Sequence, residues 1–221
     1  MPLQRAREAL RTVFGYHDFR PGQEEVIGAV LGGEDVLAVM PTGSGKSMCY
    51  QLPAVVDGGL TVVVSPLIAL MRDQVQQMAH VGVKAATLNS GNGDEANRET
   101  LARLKAGDLS LLFVSPERLS SDGLLSLLAA SKVQRLAIDE AHCVSQWGHD
   151  FRPEYRQLAQ VRTALGETQV VALTATADAA TRDDIVRQLF QRPPHVVVHS
   201  FDRPNIRLAF EAKDKPRNQI A

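Results

Sequence analysis

Aromatic residues make up only 5% of this 221-residue chain, with a single Trp. Against that scarcity, Trp147, Phe151 and Tyr155 crowd into one irregular stretch, "QWGHDFRPEY" (146–155). Cysteine is almost lacking too. Cys49 and Cys143 lie far apart and match no metal-ligand spacing, so they read as small buried residues in a reduced compartment. No apolar run approaches the roughly 20 residues that a membrane span requires. The start, "MPLQRAREALRTVF", lacks the uninterrupted apolar core of a secretory signal, so a cytoplasmic protein without membrane partners is expected. The formal net charge is −1, so bulk composition announces no nucleic acid; any basic footprint has to be local. Internal repeats and low-complexity tracts are absent as well.

The chain does contain short, continuous apolar runs rich in Val, Leu and Ile. They fall at 35–40, 60–65, 84–89, 109–115, 134–140, 169–176 and 195–200. Without polar alternation, such runs read as strands covered on both faces. Stretches of helical period lie between them, including 66–81 and 180–190, and two further helices are expected near 4–14 and 22–31. Strand and helix in alternation imply an α/β fold: a mainly parallel sheet with right-handed crossovers and helices on both faces. In the 66–81 helix, Leu67, Leu70 and Val75 are expected in the core.

The first strand runs directly into "PTGSGKS" (41–47) and then a helix. Gly43 and Gly45 let backbone N–H groups converge on phosphate oxygens at a helix N-terminus, with Thr42 and Ser44 completing the loop. Lys46 would reach the terminal phosphates of ATP, and Ser47 would offer its hydroxyl to Mg²⁺. The strict phosphate-loop pattern wants Gly where Met40 stands. Strand-to-helix context and the GKS ending nevertheless make this a nucleoside triphosphate site rather than a Gly-rich turn with an incidental Lys. Downstream, "LAIDEAH" sets Asp139 and Glu140 at the carboxyl end of a strand, where ligands gather in parallel sheets. A DE pair alone is commonly a solvated turn. With the phosphate loop upstream, Asp139 becomes the Mg²⁺ holder opposite Ser47, and Glu140 the group that orients or activates water. His142 reads either as a satisfied core histidine or as a relay to another element. "LTATA" (173–177) offers the hydroxyls of Thr174 and Thr176.

Together, "PTGSGKS", "DEAH" and "LTATA" resemble motifs I, II and III of the superfamily 2 helicases, which tolerate a residue other than Gly at Met40. More specifically, "FGYHDFRPGQ" (14–23), "SPLIALMRDQV" (65–75), "SPERL" (115–119), "AHCVSQWGHDFRPEY" (141–155) and "SFDRPNIR" (200–207) resemble the RecQ family of DNA helicases. The resemblance runs in family order to about residue 207. It implies a RecA-like P-loop NTPase lobe over 1–207, whose first 33 residues carry an adenine-recognition motif, followed by a linker at 208–221. Tyr16 would stack on adenine, with Arg20 and Gln23 contacting it or its surroundings. A turn at Pro21 and Gly22 is compatible with that role. Ser65, Arg72 and Gln74, with "LNSG" (88–91) and "SPERL" less securely, would touch DNA phosphates without reading sequence.

In the aromatic segment, Trp147 and Phe151 would stack on bases, while Arg152 and Gln146 would meet the strand. This makes it a loop coupling DNA to hydrolysis. The competing reading puts Trp147 in the core, as Trp is highly buried on average; Tyr155 reads as packing. His149 has no secure assignment. His195 and His199 stand about 13 Å apart along a strand, too far to share a metal. Glu24 and Glu25 read as solvated surface.

By the same resemblance, the whole protein would be an ATP-dependent 3′-to-5′ helicase. It would act in recombination and repair, on single-stranded or partly duplex DNA, as a monomer. Superfamily 2 motors take an arginine finger from a second RecA-like lobe, and RecQ proteins add zinc-binding and winged-helix regions; none of these is encoded here. The isolated chain is therefore expected to bind ATP-Mg²⁺ weakly and hydrolyse it very slowly. A stand-alone nucleotide- and DNA-binding regulatory module, or a fragment of a DEAH RNA helicase, are the other readings.

Overall fold

A computed structural model describes residues 2–199, apart from 120, 149 and 167. His149, the "SFDRPNIR" segment and the 208–221 linker therefore lie outside the described residues. Seven strands form one sheet: β1 (Val36–Val39), β2 (Leu60–Val64), β3 (Ala85–Leu88), β4 (Leu111–Val114), β5 (Val133–Ile138), β6 (Gln169–Thr174) and β7 (His195–Val198). The order is β3-β4-β2-β5-β6-β1-β7. All neighbouring pairs are parallel. Each expected strand is present, shorter by a residue or more at most of its ends.

Both faces of the sheet are covered, which is why the strands show no polar alternation. On one face, Val36, Ala38, Val63, Phe113, Val171 and Leu173 pack against α2 (Gln23–Leu31), α3 (Met48–Asp57) and α4 (Ile68–His80). On the other, Leu37, Val62, Leu112, Leu136 and Ala172 meet α5 (Asp94–Lys105), α7 (Asp122–Ala130), α8 (Leu158–Ala164) and α9 (Ala179–Leu189). Each such aliphatic side chain contributes roughly 1.5–3 kcal/mol when fully buried. A shorter helix, α6 (Pro116–Leu119), follows β4. At the N-terminus, α1 (Pro2–Thr12) seals α2 and α3 through Ala6, Leu10, Ile27 and Leu52. Asp178 caps α9 by accepting from Thr181 N at 2.8 Å.

One expectation about α4 fails. Its buried stripe is Met71, Gln74 and Met78; of the three expected core residues Leu67 is 47% exposed and Leu70 half-buried, while Val75, also half-buried, does pack against the core. Leu67 precedes the helix in extended conformation, so the i, i+3, i+7 face begins one turn later, at Met71. Gln74 consequently points inward and bonds Gln51, which removes it from the group facing DNA. No helix among the described residues is long and apolar enough to cross a membrane.

Candidate nucleotide and DNA site

The sheet order sets the geometry. The phosphate loop leaves β1 and the acidic pair leaves β5, with only β6 between them. Three strand ends, at Met40, Thr174 and Asp139, therefore share one edge of the sheet, the carboxyl edge where parallel folds bind ligands. Met40 N donates to Thr174 O at 3.0 Å, which extends the β1–β6 pairing up to the loop.

The loop 41–47 is braced from outside by the segment ahead of α2. Gln23 Nε2 donates to Ser44 O at 3.1 Å and Gly45 O at 3.0 Å, and Arg20 NH1 donates to Gly43 O at 2.6 Å. Arg20 N in turn donates to Gln23 Oε1 at 2.9 Å, so the two braces hold each other. The close approach explains Gly45. It has φ +77°, and a Cβ there would sit 2.6 Å from Gln23 Nε2. Lys46 Nζ donates to Met40 O at 3.2 Å, and Ser47 opens α3. Ser44 Oγ is buried with no hydrogen-bond partner among the described residues. A buried, unpaired hydroxyl in a glycine loop that leads into the N-terminus of α3 is a donor suited to an anion, so the residues present fit a polyphosphate.

Beside the loop is a cavity of about 230 Å³, lined by Tyr16, Asp18, Arg20, Gln23, Gln51 and Gln74 among others. Tyr16 is half exposed at its rim. Gln51 and Gln74 were missed as pocket residues by the sequence reading. One signal existed: Gln51 follows Ser47 by four residues, so both project from the same helical face. A larger cavity, about 620 Å³, lies away from the loop, at the carboxyl ends of β3 and β4. Asn89, Ser90, Ser115 and Arg118 line it, drawn from the "LNSG" and "SPERL" segments. Among the described residues, Ser115 Oγ is buried without a hydrogen-bond partner, as is Ser65 Oγ at the end of β2. Arg72 is exposed and donates to Gly91 O.

Asp139 is 7% exposed. Burial, and then the charge of Glu140, push its carboxyl up to about 6. Its Oδ1 accepts from Glu140 N at 3.0 Å. Glu140 itself sits in the left-handed region, φ 50° and ψ 47°, a conformation that a non-glycine residue adopts at a cost of order 1–3 kcal/mol. The turn aims its carboxylate back at the sheet edge. There Oε2 lies 3.3 Å from His142 Nδ1, and the same nitrogen lies 2.9 Å from Thr174 Oγ1. His142 is thus a buried histidine with its partners, and those partners lie at the ends of β5 and β6.

The aromatic segment follows directly. Tyr155 is fully buried and its hydroxyl donates to Asp139 O at 3.1 Å. Trp147 is 73% exposed, which rejects the core reading. Its backbone N–H donates to Ser145 Oγ at 3.1 Å, and Ser145 in turn hydrogen-bonds Asp184 of α9. Phe151 is half-buried, with the Arg156 guanidinium 5.1 Å from its ring centroid. Arg152 pairs with Asp150 at 3.2 Å, and Gln146 is exposed. Thr176 is exposed, whereas Thr174 is fully buried. Elsewhere, Glu24 pairs with Arg7, while Glu25 lies 3.4 Å from His195 and 3.9 Å from His199, so neither is merely solvated.

The sequence profile of the DEAD/DEAH box helicases matches residues 20–185. The chain belongs to the DEAD/DEAH box helicase family. It is 52% identical over 215 residues to "ATP-dependent DNA helicase RecQ" of Haemophilus influenzae, covering 97% of this chain and 35% of that one. The protein of the same description from Pasteurella multocida is 51% identical over the whole chain, again covering 35% of the relative. The chain thus spans about a third of the length of these relatives. Among solved structures, the Mycobacterium smegmatis helicase Lhr superposes with a TM-score of 0.68 over 90% of this chain and 28% of that one. At 21% identity, that likeness speaks for the fold alone.

Proposed function

We propose that this chain is the ATP- and DNA-binding lobe of a RecQ-like DNA helicase. The observation that carries it is the convergence, on one sheet edge, of a braced phosphate loop, an Asp–Glu pair whose Asp139 is buried, and an exposed tryptophan that follows that pair in a segment anchored to Asp139 O by Tyr155. ATP with Mg²⁺ supplies the scissile phosphoanhydride and the cation that neutralises its charge. Loop N–H groups and Lys46 bind the phosphates, while Ser47 and Asp139 hold the cation. Tyr16, Arg20 and Gln23 receive the base. The Glu140 carboxylate orients a water and accepts its proton at Oε2, and His142 keeps that oxygen in register with Thr174.

Trp147 and Phe151 offer stacking faces to single-stranded DNA. Arg152, Gln146, Thr176, Arg72 and the hydroxyls of Ser65 and Ser115 offer backbone contacts, so binding is sequence-independent and salt-sensitive. Residues 1–207 form the lobe and 208–221 lead toward a second one, which the full-length protein supplies along with its arginine finger. In that context the activity is ATP-driven 3′-to-5′ unwinding of single-stranded or partly duplex DNA. The protein would serve recombination and repair, as a cytoplasmic, chromosome-associated monomer.

The test is the ATPase rate of this 221-residue chain with and without single-stranded DNA. An arginine finger is worth about 10³–10⁵ in rate, so turnover should fall far below roughly 10 s⁻¹. A rate near that value would refute the single-lobe reading. Joining the missing two thirds should restore stimulation by DNA over RNA; preference for RNA would point to the other class of helicase.

A further inference from the structure

Residue spacing excludes the two cysteines from any common metal motif, yet the fold assembles a different ligand set around one of them. Cys143 Sγ lies 3.8 Å from His142 Nε2 and 3.8 Å from Asp150 Oδ2. All three ligand atoms fall within 4.8 Å of one another. In a tetrahedral zinc site, with Zn–S near 2.3 Å and Zn–N or Zn–O near 2.0–2.2 Å, ligand atoms stand about 3.5 Å apart. Two edges of the triangle thus already match to within roughly 0.3 Å by that measure. The third is closed by Asp150, whose side chain is half exposed and can turn.

The histidine is oriented for this role. Its Nδ1 faces Glu140 Oε2 at 3.3 Å and Thr174 Oγ1 at 2.9 Å, while Nε2 faces the sulfur. A carboxylate behind one imidazole nitrogen, with the other turned to the ligand cluster, is the arrangement that orients metal-bound histidines. Thiolate and imidazole select a borderline-soft cation such as Zn²⁺ and disfavour Mg²⁺, which prefers oxygen alone.

We propose that His142 Nε2, Cys143 Sγ and Asp150 Oδ2 form a regulatory site for Zn²⁺, distinct from the Mg²⁺ position at Ser47 and Asp139. As the S–Zn bond forms, the Cys143 thiol releases its proton to solvent; no oxidant or reductant takes part. The ion also takes over the Asp150 oxygen now shared with Arg152. It joins the start of the 3-10 turn, Ala141–Val144, to the residue that follows the Trp147 loop. Occupation therefore clamps the loop that presents Trp147, one imidazole away from Glu140. This inference stands on geometry independent of the helicase reading.

Trp147 is the only tryptophan, so the loop reports on itself. The experiment titrates Co²⁺, then Zn²⁺, into this chain without nucleotide, following absorbance and tryptophan emission. One equivalent of Co²⁺ should give a thiolate-to-metal charge-transfer band that Zn²⁺ displaces, and Trp147 emission should change with the same midpoint. Cys143→Ala should abolish both signals, and Cys49→Ala should keep them. Asp150→Asn alters only a surface side chain, so the protein stays folded, and should weaken affinity at least about tenfold. A band that survives Cys143→Ala, an unchanged affinity in Asp150→Asn, or no band at one equivalent would overturn the site. A band without any change in Trp147 emission would overturn the clamp.

Discussion

His142 Nδ1 lies 2.9 Å from Thr174 Oγ1 and 3.3 Å from Glu140 Oε2, so one imidazole nitrogen joins the ends of two adjacent strands. Thr174 also accepts from Thr176 N at 3.3 Å and donates to Thr176 O at 3.1 Å, which carries the link to the exposed side of the sheet edge. The groups proposed for hydrolysis and for DNA contact thereby share one short chain of hydrogen bonds. Thr174→Val keeps the shape and deletes the hydroxyl. It should cost about 1–3 kcal/mol of stability, because the His142 and Thr176 groups lose a buried partner. ATP affinity should be unchanged. In a protein extended to the length of its RecQ relatives, DNA stimulation of the ATPase should fall further than basal turnover does. Equal loss of both rates would mean that the hydroxyl serves the nucleotide directly.

Trp147→Ala tests the exposed ring. With 73% of the residue exposed, thermal stability should change by less than roughly 0.5 kcal/mol, against about 3–5 kcal/mol for a core tryptophan. Affinity for single-stranded DNA should drop by about 1–3 kcal/mol, the worth of one stacked base. Fluorescence anisotropy of a labelled oligonucleotide, beside a melting curve, separates the two effects. Unchanged DNA affinity would leave the ring without its proposed role.

Gln23→Ala removes the amide that holds the Ser44 and Gly45 carbonyls and the partner of Arg20 N. The loop loses its brace without losing a phosphate contact. ATP affinity, read by titration with a fluorescent analogue, should fall at least about tenfold, or roughly 1.4 kcal/mol, from lost loop positioning together with the lost contact to the base. ADP and ATP should be affected alike, since the lost bonds lie on the outer side of the loop. A selective loss of ATP would place Gln23 closer to the terminal phosphate than its present partners do.

The fold was largely legible in the sequence, because strands buried on both faces leave an unbroken apolar signature and glycines mark the phosphate loop. The placement of the Asp139–Glu140 pair and of the loop that carries Lys46 at the carboxyl ends of strands was legible for the same reason, because each directly follows an apolar run. What spacing could not show were contacts made by the tertiary turn. Cys143 and Asp150 are seven residues apart and meet only because Glu140 enters the left-handed region and the chain doubles back. Gln51 and Gln74 meet across two helices, and a buried Gln looks like a surface Gln on a helical wheel. Trp147 stayed ambiguous since its residue type suits core and DNA alike; its exposure removes only the core reading.

Asp139 shows what the site costs the fold. Its carboxyl is pushed from 3.8 up to about 6, first by burial and then by Glu140. A carboxyl with a raised folded pKa binds its proton more tightly when folded. Below about pH 4 both folded and unfolded chains hold that proton, and no penalty exists. As pH rises through the window from 3.8 to about 6, the folded state comes to carry an unfavourable buried charge. At pH 7 the penalty is complete, at most roughly 3 kcal/mol at about 1.4 kcal/mol per pKa unit. Asp139→Asn keeps the oxygen that accepts from Glu140 N and removes the charge. The variant should therefore melt higher at pH 7, by on the order of 5 °C for a chain of this size, and the gain should vanish near pH 4. ATP with Mg²⁺ should raise the melting temperature of the parent chain and leave that of the variant almost unmoved. A variant that melts lower at pH 7 would show that the charge is already compensated by Lys46 and His142.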